Sequence, residues 1–193
     1  MHYTGNIIRP PSEAQSIILQ VTTGCSHNGC IFCGAYKDQP FTIKNSDIIA
    51  ADLQFASTHC RRQKRLFLAD GDALILSQKK LTTLLQDIRK NLPWVNKVSL
   101  YGSAKAARSK TVEQLRELKS LGLDRVYMGL ESGCDEVLKK VKKNDTSAGM
   151  IKGAENIRES GLFLSVTALL GLGGRKLSKK HARETAATLN SMK

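Results

Sequence analysis

The fold is decided by residues 65–101, which read RLFLADGDALILSQKKLTTLLQDIRKNLPWVNKVSLY. The apolar run at 65–69 stops at Asp70-Gly71-Asp72, a pattern typical of a buried strand that ends in a turn. Leucine and isoleucine then recur at helical spacing between positions 81 and 88, and a second apolar run follows at 97–101. Because strands joined through a helix run parallel, the stretch predicts one strand–helix–strand unit of a parallel sheet.

The same alternation continues on both sides of this unit. Ser46 and the capping-box pattern that begins at Thr111 mark two helix starts. We predict further strands at residues 16–22, 125–130 and 162–170, and helices at residues 46–60, 111–121, 134–143, 146–160 and 178–193. Five strand–helix units in register predict an α/β fold whose parallel sheet curls toward a barrel. A doubly wound Rossmann-like sheet is the runner-up, but no strand is followed by GxGxxG or GxxxxGK[ST].

Composition and charge bound the class of protein. The chain has 193 residues, 41% of them hydrophobic and 24% charged, as expected for one globular domain rather than a disordered chain. Thirty basic against 17 acidic side chains give a net charge of +13. The first 60 residues hold three basic and four acidic side chains, so the excess lies in the rest of the chain. Such a positive field favours anionic partners, including RNA.

Location can also be predicted from the sequence. The longest apolar runs, such as residues 162–172, are shorter than the roughly 20 residues that span a bilayer. The first residues show no basic leader followed by an apolar stretch. The odd number of five cysteines suits a reducing compartment better than a disulfide framework. We therefore expect a cytoplasmic protein with no membrane contact.

Three of the five cysteines, Cys25, Cys30 and Cys33, fall within nine residues. They follow the first predicted strand, at the edge of the sheet where parallel α/β proteins assemble their sites. Three thiolates on one loop can hold an iron–sulfur cube and leave one iron without a protein ligand.

Structural zinc is the alternative for these cysteines. A closed tetrahedral shell needs a fourth ligand, for which His27, His59 and Cys60 are the candidates. Zinc sites usually draw two short ligand pairs from separated segments. Here the distant candidates are adjacent and end a predicted helix, which weakens this interpretation.

The spacing Cys25-x₄-Cys30-x₂-Cys33, with Phe32 before the last cysteine, resembles the cluster loop of the radical S-adenosylmethionine (radical SAM) superfamily. Residues 9–14, 24–28 and 33–37 are similar to the branch related to oxygen-independent coproporphyrinogen oxidase. The commonest spacing in the superfamily has three residues between the first two cysteines, whereas this chain has four. The longer spacing is shared by the branch that the chain resembles.

The resemblance implies a partial parallel (β/α) barrel of the radical SAM type. A radical SAM core usually has six strand–helix units, and we count about five. We therefore expect an N-terminal extension at residues 1–15 and a radical SAM core at residues 16–193 that stops before strand six. The last strand would then have an unpaired edge, from which we predict marginal stability or self-association.

The resemblance also implies which residues form the site. Cys25, Cys30 and Cys33 would bind a [4Fe-4S] cluster. Gly71 and Asp72 would hold the methionyl amino group of S-adenosylmethionine through exposed backbone. The other implied cofactor contacts are Glu131 and Ser132 for the ribose or methionine part, Lys143 for the carboxylate, and Phe32 and Leu170-Gly171 beside the adenine.

The implied activity is that of an enzyme that reductively cleaves S-adenosylmethionine to a 5′-deoxyadenosyl radical. Its partners would be a reductant protein such as a flavodoxin or ferredoxin and an unidentified, small or anionic substrate. The alternative is a basic nucleic-acid-binding module, stapled by zinc and without catalytic activity. A radical enzyme that modifies RNA is a minority hypothesis, because aromatic residues are only 5% of the chain and offer few stacking platforms for bases.

Overall fold

A parallel five-stranded sheet organises the chain. The computed structural model describes residues 1–193. The sheet consists of strands β1 (Ile17–Gln20), β4 (Arg65–Ala69), β5 (Lys97–Tyr101), β6 (Leu123–Glu131) and β7 (Phe163–Ala168). A separate antiparallel pair consists of β2 (Thr22–Thr23) and β3 (Thr42–Ile43). The helices are α1 (Ser46–His59), α2 (Gln78–Asn91), α3 (Ala104–Arg108), α4 (Val112–Ser120), α5 (Asp135–Lys140), α6 (Ser147–Glu159) and α7 (Gly174–Ser191).

The strand order confirms the predicted fold class. The five strands lie in the order β1-β4-β5-β6-β7, and every neighbouring pair is parallel. Each successive strand is therefore added on the same side, which is the order of a partial barrel. A doubly wound sheet reverses direction at a switch point, so the Rossmann-like runner-up is wrong.

Several helices and strands begin and end where the local sequence pattern predicted. The strands at 65–69 and 97–101 coincide with β4 and β5. The predicted capping box is present at the start of α4, where Thr111 and Gln114 bond to each other's backbone N–H groups. These signals depend on neighbouring residues only, and tertiary packing did not override them.

Other boundaries differ from the prediction. Asn45, not Ser46, caps α1, since its side-chain oxygen accepts from Asp47 N at 2.7 Å. Helix α7 begins at Gly174 rather than Ser178, because a turn with positive φ at Gly171 and Gly174 already directs the chain into the helix. Helix α3 was not predicted, since five residues are too few to show a helical period.

The main core lies between the sheet and the outer helices. Its largest apolar cluster has 25 buried residues. Leu68 and Leu100 of the sheet are 0% exposed and pack in this cluster with Leu85 of α2 and Leu115 of α4. Helical and strand periodicity place these side chains on facing surfaces, so the hydrophobic effect joins the two layers.

The later part of residues 1–15, predicted as an N-terminal extension, packs against the inner face of the sheet, whereas Met1 and His2 contact Asp52 of α1. Glu13 is 3% exposed and accepts hydrogen bonds from Ser99 Oγ at 2.8 Å and from Tyr127 Oη at 2.6 Å. Phe67 and Tyr101 pack edge to face beside them, 5.2 Å apart, and burial raises the pKa of Tyr101 to about 12. The N-terminal segment therefore fills part of the barrel interior.

Strands β1 and β7 form the edges of the sheet. Phe163 on β7 is 55% exposed, and the Arg125 guanidinium lies over its ring at 4.2 Å. In the sheet β7 pairs with β6 alone, and the marginal stability or self-association expected from an unpaired edge stays a prediction. None of the helices combines the length and apolar character that crossing a bilayer requires.

Leu68→Ala should destabilise the fold, because it leaves a cavity in the middle of the main core. We expect the free energy of unfolding to fall by about 2–5 kcal/mol. Leu170→Ala is the matched control, since Leu170 is 98% exposed, and it should change stability by less than about 0.5 kcal/mol. Urea denaturation followed by circular dichroism measures both variants. Equal losses would contradict the assigned core.

Candidate functional site

A cavity of about 460 Å³ opens at the carboxyl ends of the parallel strands. It is formed by the loops after β1, β4, β5 and β6 together with the turn after α5. Of the eleven predicted site residues, all but Ser132, Leu170 and Gly171 line it: Cys25, Cys30, Phe32, Cys33, Gly71, Asp72, Glu131 and Lys143. The parallel sheet brings these residues together because all its strands end at one edge.

The cysteine loop, residues 24–41, is held at its base by the β2–β3 pair. Thr23 and Thr42 face each other in this ladder, and their hydroxyls lie 2.7 Å apart. Within the loop, Asn28 Nδ2 donates to Tyr36 O at 2.5 Å. Cys25, Cys30 and Cys33 are all free thiols and half-buried. Their sulfurs are therefore available for ligation on a loop with fixed ends.

The turn after α5 contacts the other side of the cysteine loop. Ile31 N donates to Val141 O at 3.0 Å, and His27 Nε2 lies 2.7 Å from Lys142 O. Phe32 packs against the small buried cluster that contains Val137 and Val141. The loop is thus fixed between the sheet and α5.

Gly71 provides a close approach of backbone to the first cysteine. A Cβ atom at this position would lie 2.8 Å from Cys25 Cβ and 3.0 Å from the Tyr36 ring. Gly71 N also donates to Gly24 O at 3.1 Å. Any larger residue would push the cysteine loop away, so glycine is needed for this contact.

The Asp72 carboxylate is fully engaged by the protein. Asp72 is 1% exposed and accepts from Ser26 Oγ at 2.6 Å, and from Ser103 N and Oγ, each at 2.8 Å. Burial raises the pKa of Asp72, and these hydrogen bonds oppose the shift. The side chain therefore joins the cysteine loop to the loop after β5.

Sequence reasoning missed Ser26 and Ser103 as partners of Asp72. Two signals could have found them. Ser26 directly follows the first cysteine, and Ser103 lies just after β5, at the same sheet edge as the predicted site.

Glu131 and Lys143 form an ion pair inside the cavity, with Lys143 Nζ 3.4 Å from Glu131 Oε1. Glu131 is 9% exposed, and its carboxylate lies against Gly129, where a Cβ atom would collide with it. Burial raises the pKa of the Cys30 thiol, Lys143 lowers it, and Glu131 raises it. The ion pair therefore lies close enough to the cysteine loop to act on its electrostatics.

Backbone strain is concentrated around this cavity. The chain has four non-glycine residues with positive φ: Asn28, Asp70, Glu131 and Lys142. Asn28, Asp70 and Lys142 lie in loops beside the cavity, and Glu131 is the last residue of β6. Each such conformation costs on the order of 1–3 kcal/mol, and conformations of this kind cluster at functional sites.

Ser132 does not line the cavity. Its side chain is 0% exposed, and its hydroxyl lies 2.8 Å from His181 Nδ1 of α7. His181 Nε2 lies 3.0 Å from Leu169 O, so this histidine, which the sequence did not single out, joins α7 to the ends of β6 and β7. Leu170, expected beside the adenine, is 98% exposed and lies outside the cavity, whereas Thr167 lines it.

The donor set does not match a closed zinc site. No group of three or more His, Cys, Asp or Glu side chains is placed to hold a single metal ion, and structural zinc needs four such donors. His59 and Cys60 lie at the end of α1. This helix runs antiparallel to the strands, so it ends near their amino ends, whereas the cysteine loop lies at their carboxyl ends. Three free thiols on one loop are the number of protein ligands that an iron–sulfur cube with one open iron requires.

Comparison with known proteins agrees with this geometry. Residues 19–189 match the sequence profile of the radical SAM superfamily. The heme chaperone HemW of Bacillus subtilis (strain 168) is 25% identical over 130 residues, which cover 66% of this chain and 34% of HemW. The chain therefore spans about a third of the length of this curated relative.

Two solved structures share the fold. Coproporphyrinogen III oxidase (HemN) from Escherichia coli is 17% identical, with a TM-score of 0.65 over 92% of this chain and 42% of HemN. The radical S-adenosylmethionine methyltransferase TsrM from Kitasatospora setae is 17% identical, with a TM-score of 0.70 over 91% of this chain and 34% of TsrM.

The similarity to HemW agrees with the resemblance to the branch related to coproporphyrinogen oxidase, and HemN shares the fold. Neither the structure nor these similarities favour the nucleic-acid-binding alternative. Because the family profile matches most of the sequence, the chain belongs to the radical SAM superfamily.

Proposed function

We propose that residues 16–193 are the core of an enzyme that binds one [4Fe-4S] cluster and reductively cleaves S-adenosylmethionine. One observation carries this proposal. Cys25, Cys30 and Cys33, all free and half-buried, line the same cavity as the buried Glu131–Lys143 pair. Thiolates for a cluster and charged groups for a zwitterionic cofactor thus meet in one place.

The cysteine loop suits a cluster with one iron left open. Three thiols line the cavity, and no fourth cysteine does so: Cys134 is buried beneath α5, and Cys60 follows α1 at the opposite edge. When bound, the cluster would supply the electron for cleavage of the sulfonium bond. The protein's own task is to hold the loop still, which the bonds of Asn28, Ile31 and Ser26 support.

The cavity provides complementary groups for S-adenosylmethionine. Glu131 presents an acceptor toward an ammonium or ribose hydroxyl, and Lys143 presents a cation toward a carboxylate. Backbone at Gly71 faces Cys25, which suits a methionyl group bound beside the cluster. Phe32 offers an apolar face for the adenine. The cavity volume of about 460 Å³ lies in the range of roughly 300–1,000 Å³ that is usual for small-molecule sites.

The role proposed for Asp72 is positioning. Its carboxylate accepts three hydrogen bonds from the protein, so any contact of this residue with the cofactor would come from the backbone. The role proposed for Ser132 is also positioning, because its hydroxyl is hydrogen-bonded to His181.

The proposal includes a one-electron donor protein of the flavodoxin or ferredoxin type and a cytoplasmic location. The cluster needs a reductant, and the five free cysteines suit a reducing compartment.

Alanine at Cys25, Cys30 or Cys33 should abolish formation of a normal cluster. After anaerobic reconstitution, we expect near four iron and four sulfide per native chain, and loss of the cluster electron paramagnetic resonance signal in each variant. Cys60→Ala is the control and should keep the full iron content. Retention of a normal cluster by Cys30→Ala would contradict the proposal.

Glu131→Gln should weaken binding of S-adenosylmethionine to the cluster-loaded protein. Losing a charge-assisted hydrogen bond worth about 1.5–3 kcal/mol should raise Kd by about 10- to 100-fold. Equilibrium dialysis measures Kd, and formation of 5′-deoxyadenosine with dithionite reports turnover. Glu159→Gln, the same change at an exposed position on α6, should leave both unchanged. An unaltered Kd in Glu131→Gln would remove Glu131 from the site.

Ser26→Ala should loosen the cysteine loop, because it removes one hydrogen bond from a buried carboxylate. We expect a loss of about 1–3 kcal/mol in unfolding free energy at neutral pH and faster removal of iron by a chelator. The loss should shrink in acid, because protonation of Asp72 removes the charge that Ser26 stabilises, and burial shifts that protonation upward in pH. Ser178→Ala, at an exposed serine, is the control. A pH-independent loss would contradict the role of Asp72.

A further inference from the structure

A strongly positive surface lies beside the cysteine loop. It is formed by α5, the turn that follows it, and α7. Six of its cationic side chains are exposed and have no ion-pair partner: Lys139, Lys142, Arg175, Lys176, Lys179 and Arg183. We call these six residues the basic face.

The two helices present the basic face as one surface. The four cations of α7 lie at positions 175, 176, 179 and 183, within one side of a helix with 3.6 residues per turn. Glu136 of α5 joins the helices, since it pairs with Lys140 at 3.0 Å and with Lys180 of α7 at 3.1 Å. The cations of α5 and α7 therefore act together on an approaching partner.

The acidic residues of these segments do not neutralise the basic face. Glu136 is already shared by two lysines. Asp135 accepts from Ser147 N at 2.7 Å, at the start of α6, and Glu184 lies near enough to the buried Cys134 thiol to raise its pKa. These three carboxylates keep their negative charge, but residues 135–143 and α7 together contain nine lysine and arginine side chains, so the surface stays strongly positive.

The basic face adjoins the cysteine loop through direct contacts. Val141 O accepts from Ile31 N, Lys142 O lies against the His27 ring, and Phe32 packs beneath α5. Ile31 itself is 61% exposed, so an apolar side chain of the cysteine loop borders the lysines. A protein seated here would cover the loop that carries the three thiols.

We propose that the basic face and Ile31 form the docking surface for an acidic one-electron donor protein. This inference rests on the proposed function, since only a cluster-bearing chain needs such a donor. In the electron transfer, the donor protein would lose one electron and the cluster would gain it. Opposite charge speeds encounter, and a small apolar contact suits the limited interfaces of transient redox complexes.

An acidic protein fits this surface better than a nucleic acid. Single-stranded nucleic acid is usually held by cations together with aromatic side chains on which bases stack. None of the exposed residues of α5 and α7 is aromatic, and Phe32 of the cysteine loop lines the cavity and does not belong to the basic face. Carboxylates on an acidic protein, by contrast, can bind to lysine and arginine side chains without aromatic residues.

The test uses charge reversal on the full chain. One variant carries Lys139→Glu and Lys142→Glu, and a second carries Lys176→Glu and Lys179→Glu. The control carries Arg62→Glu and Lys64→Glu. Both residues are exposed and lie in the connection between α1 and β4, at the amino ends of the strands and away from the cysteine loop. All three variants change the net charge equally, so a difference between them reports position rather than total charge.

The probe is a bacterial flavodoxin with an acidic surface. Calorimetry gives its Kd for the cluster-loaded protein, and stopped-flow absorbance gives the rate of cluster reduction. At low ionic strength we expect both test variants to bind at least about 10-fold more weakly and to be reduced correspondingly more slowly. The control should stay within about 3-fold of the native chain. Reduction by dithionite should be the same in all four proteins, because it needs no docking.

Two results would overturn the docking surface while leaving the proposed function intact. One is equal loss of flavodoxin affinity in the control and test variants. The other is unchanged flavodoxin affinity with a selective loss of affinity for a single-stranded RNA oligonucleotide, which would make the face a nucleic-acid surface. Failure of the native chain to hold a dithionite-reducible cluster is a separate outcome, and it would overturn the proposed function and this inference together.

Discussion

The buried carboxylate of Asp72 is the contact on which the candidate site depends. It receives hydrogen bonds from Ser26 of the cysteine loop and from Ser103 at the start of α3. A charged group with almost no exposure is tolerated only when its hydrogen bonds are satisfied. The same three bonds that make Asp72 stable in the interior therefore tie the cysteine loop to the loops after β4 and β5.

The cysteine loop is supported from two directions, and each has a different functional consequence. On the sheet side, Gly71 and Asp72 bring backbone and a structural carboxylate close to Cys25. On the outer side, Val141 and Lys142 connect the loop to α5 and so to a cationic surface. Cofactor binding and partner binding would thus use opposite sides of a single loop.

Much of the fold was predictable because its signals are local. The strand at 65–69, the strand at 97–101 and the capping box at Thr111 depend on neighbouring residues, and the structure confirms them. The short helix α3 and the β2–β3 pair were missed, since elements of two to five residues carry too little periodicity. The cysteines and Gly71-Asp72 could be placed at the site because they follow strands, whereas Lys143 lies in the turn after α5 and was expected there only from the family resemblance.

The sequence by itself determined the parallel α/β order and the loop that carries three cysteines, because periodicity and spacing are properties of neighbouring residues. Only the tertiary structure decided how individual side chains are used. The Ser132 hydroxyl is hydrogen-bonded to His181 of α7, 49 positions away, and the Ser26 hydroxyl donates to Asp72, 46 positions away. Such pairings arise when buried polar groups find partners in the packed chain, and no local pattern records which partner each will find.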